Sequence, residues 1–434
     1  MTHKAKPTRN LTTEALARVE GEGAMRVEIR DGRVDGVELN IYEPPRFFEG
    51  FLRGRRFTEP PDITARICGI CPVAYQMSAC RAIEGALGID VDGQLRELRR
   101  LLYAGEWIQS HILHIHFLHL PDFFGLDNAV ELAGINRPAV ERALTLKKIG
   151  NDLLELIGGR AIHPINIRVG GFYKVPTRRD LSAFRPKLES ARQMATEVVD
   201  LVGALDVPDL EVEHEMVALR HPSEYAILDG RIVSDRDLDI AEQEYPDHFE
   251  EVHVEHSTAL HSRIRGRGKY LVGPLARYTL NSDRLTPTAM AAARSVGLLP
   301  ECRNPFRSIV VRAVETLDVI EVALGIIDQY DEPDRPFVEA TPGHGTGHGA
   351  TEAPRGLLYH RYTLDTEGVI ADAVIIPPTS QNQAAIEDDL AQYVQANIDQ
   401  DDEELRRGAE VTIRNHDPCI SCATHFLDLT VIRA

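Results

Sequence analysis

The sequence predicts a mainly α-helical fold (α+β) with antiparallel β-hairpins at its periphery, built around a core of long buried helices. Two patterns predict this. Apolar residues recur with a helical period over several long stretches. Elsewhere, alternating apolar and polar residues flank tight-turn sequences, as in β-hairpins. With 434 residues, 43% of them hydrophobic, the chain has enough apolar side chains for a large core.

The individual elements follow from local signals. Residues 24–30 and 33–42 flank Asp31-Gly32, a dipeptide typical of hairpin turns. Residues 357–363 and 369–376 flank a second turn. The predicted helices are residues 95–124, 129–157, 181–205, 305–329 and 384–397.

Three further segments have specific predictions. Thr177 is predicted to cap the third helix, because Asp180 follows three residues later. Residues 211–275 mix short strands with polar loops. Residues 339–356, EATPGHGTGHGATEAPRG, are rich in Gly and His and are predicted to form an ordered loop or a lid.

The charge balance excludes several classes of partner. The chain has 48 Lys and Arg against 67 Asp and Glu, a formal net charge of −19. This excess argues against nucleic-acid binding and against docking on an anionic membrane, since both need clustered cations. No run of 18 apolar residues exists, so no membrane span is predicted. No signal peptide is visible, and a cytoplasmic location is predicted.

Four of the six cysteines form two Cys-x-x-Cys pairs, Cys68 with Cys71 and Cys419 with Cys422. Thiolates are soft donors that suit zinc, copper(I), iron or nickel. On spacing alone, a structural zinc site and an iron-sulfur cluster both remain open, although zinc ribbons separate their pairs by only about 15–20 residues. If the two pairs meet at one metal, both ends of the chain belong to a single domain, predicted to cover residues 1–434.

The segments around these pairs carry a family resemblance. RICGICPV at 66–73 and DPCISCATH at 417–425 together resemble the paired signature of nickel-iron hydrogenase large subunits. Other segments agree with that family: RVEG at 18–21, FFEG at 47–50, HP at 163–164, GG at 170–171, EAPRG at 352–356 and PTSQN at 378–382. The resemblance spans residues 15–425 and implies the large-subunit fold and reversible heterolytic cleavage of H2.

The resemblance implies a nickel-iron centre held by both pairs. Cys68 and Cys419 are expected to be terminal ligands of nickel, and Cys71 and Cys422 to bridge nickel and iron. The iron is expected to carry carbon monoxide and cyanide, which no side chain supplies. Dedicated maturation proteins are therefore implied.

The resemblance also assigns roles around the metals. Ala353 and Pro354 are expected to line the diatomic ligands, and Thr379 or Ser380 to hydrogen-bond a cyanide. Arg355 is expected to hold its guanidinium over the open face of the metals. Its alternative role is that of an ion-pair partner in the core.

The proton released from H2 needs acceptors. The resemblance implies Cys419 as the first acceptor and Glu20 as the next carrier, since a buried carboxylate can titrate near the working pH. The alternative role for Glu20 is a salt bridge with Arg18 or another neighbour.

A second metal and a processing step are also implied. Magnesium, or another divalent ion, is expected on Glu49, the backbone carbonyl of Ile375 and His425. The family normally ends at this histidine after an endopeptidase removes a tail. Cleavage of residues 426–434 is therefore expected, and a retained terminal strand is the alternative.

Electrons must leave through partners, because too few cysteines remain for iron-sulfur clusters in this chain. An iron-sulfur small subunit is implied. Departures from the periplasmic type at Glu22, Tyr75, Ser110 and Gln381 resemble the cytoplasmic, NAD(P)-linked bidirectional group, which implies flavin-containing diaphorase subunits. No Gly-x-Gly-x-x-Gly motif opens a βαβ unit, so this chain is not expected to bind a nucleotide.

Two alternative functions remain open from the sequence. One is a non-catalytic relative, either a hydrogen sensor or a complex-I-like scaffold. The other is a structural protein clipped by zinc.

Overall fold

The computed structural model describes residues 8–424 and contains a helical core with small sheets around it. The α-helices are α1 Phe48–Leu52, α2 Pro60–Thr64, α3 Pro72–Leu87, α4 Gly93–Leu113, α5 Leu120–Phe123, α6 Ala129–Ile135, α7 Arg137–Gly158, α8 Arg178–Gly203, α9 Tyr245–His248, α10 Pro274–Asn281, α11 Pro287–Ser295, α12 Ser308–Gln329, α13 Pro378–Ala396, α14 Asp402–Asn415 and α15 Ile420–Ala423. Short 3₁₀ turns cover Ala65–Ile67, Glu242–Glu244, Ser282–Arg284 and Pro305–Arg307, and a π-helical segment covers His114–His119.

The strands form small sheets, most of them antiparallel. They are β1 Arg9–Thr13, β2 Gly23–Arg30, β3 Arg33–Ile41, β4 Ile167–Arg168, β5 Gly171–Phe172, β6 Glu215–Arg220, β7 Arg231–Ser234, β8 Asp239–Ile240, β9 Phe249–Val254, β10 Ser257–Ile264, β11 Tyr270–Leu271, β12 Gly345–Ala353, β13 Gly356–Leu364 and β14 Ile370–Ile376. The sheet orders are β1-β2-β3, β4-β5, β9-β10, β11-β6-β7-β8 and β12-β13-β14, in which β11 and β6 are parallel.

Long helices pack against one another at the centre, as the sequence predicts. Helix α12 lies against α4 and α8, and α4 also packs against α7. Most of α12 is buried, because apolar side chains lie on most of its faces. The predicted fold class is confirmed.

The predicted long helices are largely correct, with one break. The helix predicted over 95–124 runs through α4, the π-helical segment and α5. The helix predicted over 129–157 divides at Asn136, whose side chain accepts a hydrogen bond from the Ala139 N–H at 3.2 Å and caps α7. Pro138, in the first turn of α7, has no N–H to continue the preceding helix. At Thr177 the predicted capping box with Asp180 is present.

Strand β12 replaces the loop or lid predicted over 339–356. The first hairpin is as predicted, with its turn at Asp31 and Gly32, but residues 345–353 add an unpredicted third strand to the second one. This strand lies directly on helix α3: a Cβ at Gly347 would sit 1.8 Å from the Ala82 carbonyl oxygen. The glycines that suggest a loop are therefore the residues that allow this close contact.

Segments near the two ends of residues 8–424 meet in the core. Sheet β1-β2-β3 packs against α13 and α14, and Glu20 forms a parallel β-bridge with Cys419. Helix α13 begins at Pro378, before the predicted start at residue 384, so PTSQN forms its first turn. Within residues 8–424, no helix has the length and apolar character needed to cross a membrane.

Candidate metal centre

All four paired cysteines meet in the interior. Cys68 follows a 3₁₀ turn, and Cys71 immediately precedes α3. Cys419 immediately precedes α15, and Cys422 lies within that helix. Their Sγ atoms all lie within 4.8 Å of one another, with 3.5 Å between Cys68 and Cys419 and 3.9 Å between Cys71 and Cys422. None is more than 2% exposed. The structure therefore brings together the four predicted ligands from opposite ends of the sequence.

Because the four thiols lie close together, their pKa values shift in different directions. Hydrogen bonds from the neighbouring thiols, Cys419 foremost, hold the pKa of Cys68 well below its ordinary value. Burial, followed by the neighbouring thiols, raises the pKa of Cys419 well above its ordinary value. A bound cation would favour the thiolate form of all four, since metal ligation requires deprotonated sulfur.

Glu20 contacts Cys419 directly. Its Oε2 accepts a hydrogen bond from the Cys419 thiol at 3.0 Å and another from the Ser421 N–H at 3.1 Å. Arg18 instead pairs with Asp122 and donates to the Leu118 carbonyl. The salt-bridge alternative between Arg18 and Glu20 is therefore wrong, and the Glu20 carboxylate is positioned to exchange a proton with the thiol.

Two residues hold this loop against the second cysteine pair. Gly21 has φ 93°, and a Cβ there would lie 2.6 Å from the Ile420 Cβ, so the close approach requires glycine. Arg46 donates to the carbonyls of Ile67, at 2.8 Å, and Ser421. Its guanidinium thereby connects the loops that carry the two cysteine pairs.

Arg355 lies in the turn between β12 and β13, beside the thiols. Its Nε and Nη2 donate to the Asp417 backbone oxygen and Oδ1 at 2.8 and 3.0 Å. Its Nη1 has no hydrogen-bond partner within residues 8–424, although the side chain is buried. Burial lowers the pKa of Arg355, but Asp417 and the nearby cysteines raise it further, and the net shift is upward. This geometry is compatible with both predicted roles of Arg355, over the metals and as an ion-pair partner, since the ion pair with Asp417 leaves Nη1 unused.

Of the remaining predicted residues, Thr379 hydrogen-bonds a cysteine of the cluster. Thr379 Oγ1 accepts the Cys419 N–H at 3.0 Å, and its own hydroxyl hydrogen has no acceptor among residues 8–424. The Ser380 hydroxyl instead donates to the Pro377 carbonyl at 2.9 Å. The carbonyls of Ala353 and Pro354 each accept a hydrogen bond from Arg277 at 2.8 Å.

Comparison with known proteins identifies the family. The model of the family described as nickel-dependent hydrogenase matches residues 46–137 and 307–425. Sulfhydrogenase 1 subunit alpha of Pyrococcus furiosus is 34% identical over 424 residues, covering 96% of this chain and 98% of that relative. This chain belongs to the nickel-dependent hydrogenase family.

Other hydrogenases support the same conclusion over the full length. NAD-reducing hydrogenase HoxS subunit beta of Cupriavidus necator is 28% identical, over 97% of this chain and 95% of the relative. A crystal structure of an NAD⁺-reducing [NiFe]-hydrogenase in the H2-reduced state matches with a TM-score of 0.88 and 27% identity, covering 97% of this chain and 100% of that one. The predicted family and large-subunit fold are confirmed.

The thiol cluster of this hydrogenase chain fits a nickel-iron centre. Four soft donors that converge in a water-poor site favour a transition metal over magnesium or calcium. The adjacent Arg355 offsets part of the negative charge that four thiolates would concentrate. Zinc fits the same donor set chemically, and family membership favours nickel.

The predicted second metal site is described only in part, because His425 lies outside the described residues. Helix α1 brings Glu49 to strand β14, where its Oε1 accepts the Ile375 N–H at 2.7 Å. Glu251 is a carboxylate that the sequence did not indicate. Burial, followed by the charge of Glu49, raises the pKa of Glu251 to about 8. A cation between these carboxylates would relieve their repulsion.

Several residues that position the centre escaped sequence analysis. Glu106 in α4 accepts the N–H groups of Val73 and Ala74 at 2.6 and 3.1 Å, and Gln109 donates to the Ile70 carbonyl at 2.6 Å. Together they fix the loop of the first cysteine pair and the start of α3. A charged residue within the nearly all-apolar second half of a helix was the only sequence signal.

A buried network of ion pairs centred on Arg277 holds the turn that contains Arg355. Arg277 pairs with Glu315 at 2.8 Å and with Glu352 at 3.2 Å, and its guanidinium lies 4.3 Å from the centroid of the Trp107 ring. Because the carbonyls of Ala353 and Pro354 bind the same guanidinium, this network fixes the backbone that presents Arg355.

Proposed function

We propose that this large subunit catalyses the reversible heterolytic cleavage of H2 at a nickel-iron centre bound by Cys68, Cys71, Cys419 and Cys422. The observation that carries the proposal is the convergence of four buried Sγ atoms within 4.8 Å in a chain of the nickel-dependent hydrogenase family. When bound, the two metals and the diatomic ligands of iron supply the site at which H2 is polarised and split.

The chain's own residues then manage the proton. Cys419 holds it at Sγ, and Glu20 receives it at Oε2, 3.0 Å away. The Ser421 N–H fixes the orientation of that carboxylate. Arg355 presents positive charge toward the thiols, which stabilises negative charge that develops beside it.

The surrounding groups complete the proposed centre. Thr379 donates its hydroxyl hydrogen to a cyanide, with Ser380 the weaker candidate, while Ala353 and Pro354 wall the diatomic ligands. Magnesium is proposed to bind the Glu49 carboxylate, the backbone carbonyl of Ile375 and His425. Maturation proteins load the centre, and an endopeptidase then cleaves after His425.

Electrons leave to an iron-sulfur small subunit. The loop of the first cysteine pair reaches the surface, where Gly69 is exposed. Nearby, His163 hydrogen-bonds the Ala65 carbonyl at 2.7 Å and anchors a segment that carries exposed apolar side chains. Its exposed apolar side chains are Ile162, Ile165 and Tyr173. We expect the small subunit to cover this apolar surface.

The final acceptor proposed is NAD(P), reached through a flavin-containing diaphorase module in a cytoplasmic complex. The likeness to NAD-reducing hydrogenases over nearly the whole of both chains supports this choice. A sulfhydrogenase is the second candidate, favoured by the 34% identity to the Pyrococcus furiosus relative. Reduction of NAD, NADP and elemental sulfur by H2, assayed on the whole complex, distinguishes the two.

Metal analysis with infrared spectroscopy tests the centre itself. Purified complex is expected to hold about one nickel and one non-cluster iron per large subunit, and to show bands of metal-bound carbon monoxide and cyanide. Cys68→Ser is expected to lose them, whereas Cys302→Ser, outside the cluster, is expected to keep them. Zinc alone in active-site stoichiometry would overturn the proposal.

A further inference from the structure

Two histidines and a glutamate converge outside the thiol centre, at the side of α13. His256 lies in the turn between β9 and β10, His261 in β10, and Glu387 in α13. His256 Nε2 is 2.7 Å from Glu387 Oε1, and His261 Nδ1 is 3.9 Å from Glu387 Oε2. One donor atom from each residue lies within 4.8 Å of the others.

These donors have few competing partners. The Nδ1 of His261, which faces Glu387 Oε2, lies beyond hydrogen-bond distance from it at 3.9 Å, and the buried Nε2 of the same ring has no hydrogen-bond partner within residues 8–424. Glu387 accepts the Leu39 N–H at 3.0 Å, yet no Lys or Arg of the described chain pairs with it.

Two other histidine–carboxylate groups in the described residues are already saturated. In the group of His221, Glu224 and Asp229, Arg96 pairs with both carboxylates, at 2.5 and 3.0 Å. In the group around Asp389, its two carboxylate oxygens bind two histidines at 2.6 and 2.8 Å. The group of His256 differs from both, because its partly buried carboxylate pairs with no Lys or Arg of residues 8–424 and only one of its oxygens, Oε1, is hydrogen-bonded there.

We propose that His256, His261 and Glu387 bind one divalent ion of the zinc class. Two imidazole nitrogens and one carboxylate form a donor set that zinc accepts, with water at a fourth position. Ligand atoms about 2.0–2.1 Å from a tetrahedral ion lie about 3.3 Å apart. The observed separations of 2.7 and 3.9 Å bracket that value, so small side-chain rotations complete the site.

The ion would cross-link elements that enclose the second cysteine pair. In β10, Thr258 donates to the carbonyls of Ile41 and Glu43 at 3.0 and 2.8 Å. At its first turn, α13 presents Thr379 to the Cys419 N–H. A metal joining β10 to α13 would therefore stabilise the shell around the centre without entering the H2 reaction.

Zinc binding to the assembled hydrogenase complex tests this proposal. After treatment with a chelator that leaves nickel in place, wild type is expected to bind one zinc ion more than His256→Gln or His261→Gln. The control His221→Gln, from a saturated group, is expected to bind as wild type does. Zinc is expected to raise the Tm of wild type and of the control, but not of the two variants. His256 is partly exposed, so its variant remains informative if the buried His261→Gln variant fails to fold.

X-ray absorption at the zinc edge separates this site from the thiol centre. Nitrogen and oxygen neighbours at about 2.0–2.1 Å that disappear in His256→Gln would support the proposal. Equal zinc binding in wild type and both variants would overturn it, as would sulfur neighbours at about 2.3 Å, which indicate zinc in the cysteine cluster. Nickel content and hydrogenase activity are expected to be unchanged in His256→Gln, so this test is independent of the proposed function.

Discussion

At the scale of single residues, the contact between Glu20 and Cys419 is the basis of the proposed proton relay. The Glu20 carboxylate binds a thiol and a backbone amide with the same oxygen, so its position is fixed from both sides. Only the first of these contacts can transfer a proton to the carboxylate. An amide side chain would preserve the shape of this arrangement and remove its ability to carry a proton.

Glu20→Gln is therefore expected to lower H2 turnover by at least about 100-fold, within the range of general acid–base contributions. Gln keeps a side-chain oxygen that accepts the Ser421 N–H. Nickel and iron content and the infrared bands are thus expected to remain as in wild type. H2 oxidation with an artificial electron acceptor measures the effect on the purified complex.

The control is Glu22→Gln, an exposed position of the same loop. It is expected to retain wild-type turnover. Glu20→Gln activity within threefold of wild type, with the metals loaded, would refute the proposed relay.

At the scale of elements, strand β12 shows how glycine permits contact between a strand and a helix. A Cβ at Gly347 would clash with backbone atoms of α3, namely the carbonyl oxygen of Ala82 and the amide nitrogen of Ala86. The strand continues into the turn that presents Arg355. A displacement of β12 would therefore reach the metal centre through covalent continuity.

Gly347→Ala is expected to destabilise the protein by about 1–3 kcal/mol, the range for overpacking a close contact. Neither backbone can yield without moving a whole element. Gly36→Ala, in β3, is the matched control, because nothing lies within 4 Å of its Cβ position. Thermal unfolding of the complex is expected to show a clear fall in Tm only for Gly347→Ala, and equal Tm values for the two variants would contradict this account.

What the sequence could predict depended on how local each signal was. The cysteine pairs, Glu20 and Arg355 stand in short motifs, and their convergence followed from a family resemblance. Glu106 and Arg277 carry no such motif, since their partners lie at least 32 residues away along the chain. Strand β12 was missed because a glycine pattern has the same appearance in a loop and in a strand pressed against a helix.

At the scale of the whole molecule, protonating the buried histidines of the interior is energetically unfavourable. Besides the thiols, it contains a run of buried histidines at the end of α4 and in the π-helical segment: His111, His114, His116 and His119. Burial is the main cause that lowers the pKa of His111 and of His116 to about 4. In the unfolded chain a histidine has a pKa of about 6.5, so unfolding at mildly acidic pH takes up protons.

The sign of the resulting pH dependence is fixed by these values. Well above pH 6.5, His111 and His116 are neutral in both the folded and the unfolded state, and the full stability is present. As the pH falls from about 6.5 to about 4, only the unfolded chain gains the proton, and each histidine removes up to about 3 kcal/mol of stability.

His116→Leu is expected to make the free energy of unfolding fall less steeply with decreasing pH, because one proton fewer is taken up on unfolding. His253→Gln, at an exposed position, is expected to leave this pH dependence as in wild type. Urea unfolding midpoints at pH 7.5, 6.5, 5.5 and 4.5 measure the slopes, and coincident slopes for wild type and His116→Leu would show that His116 is not held neutral by its burial.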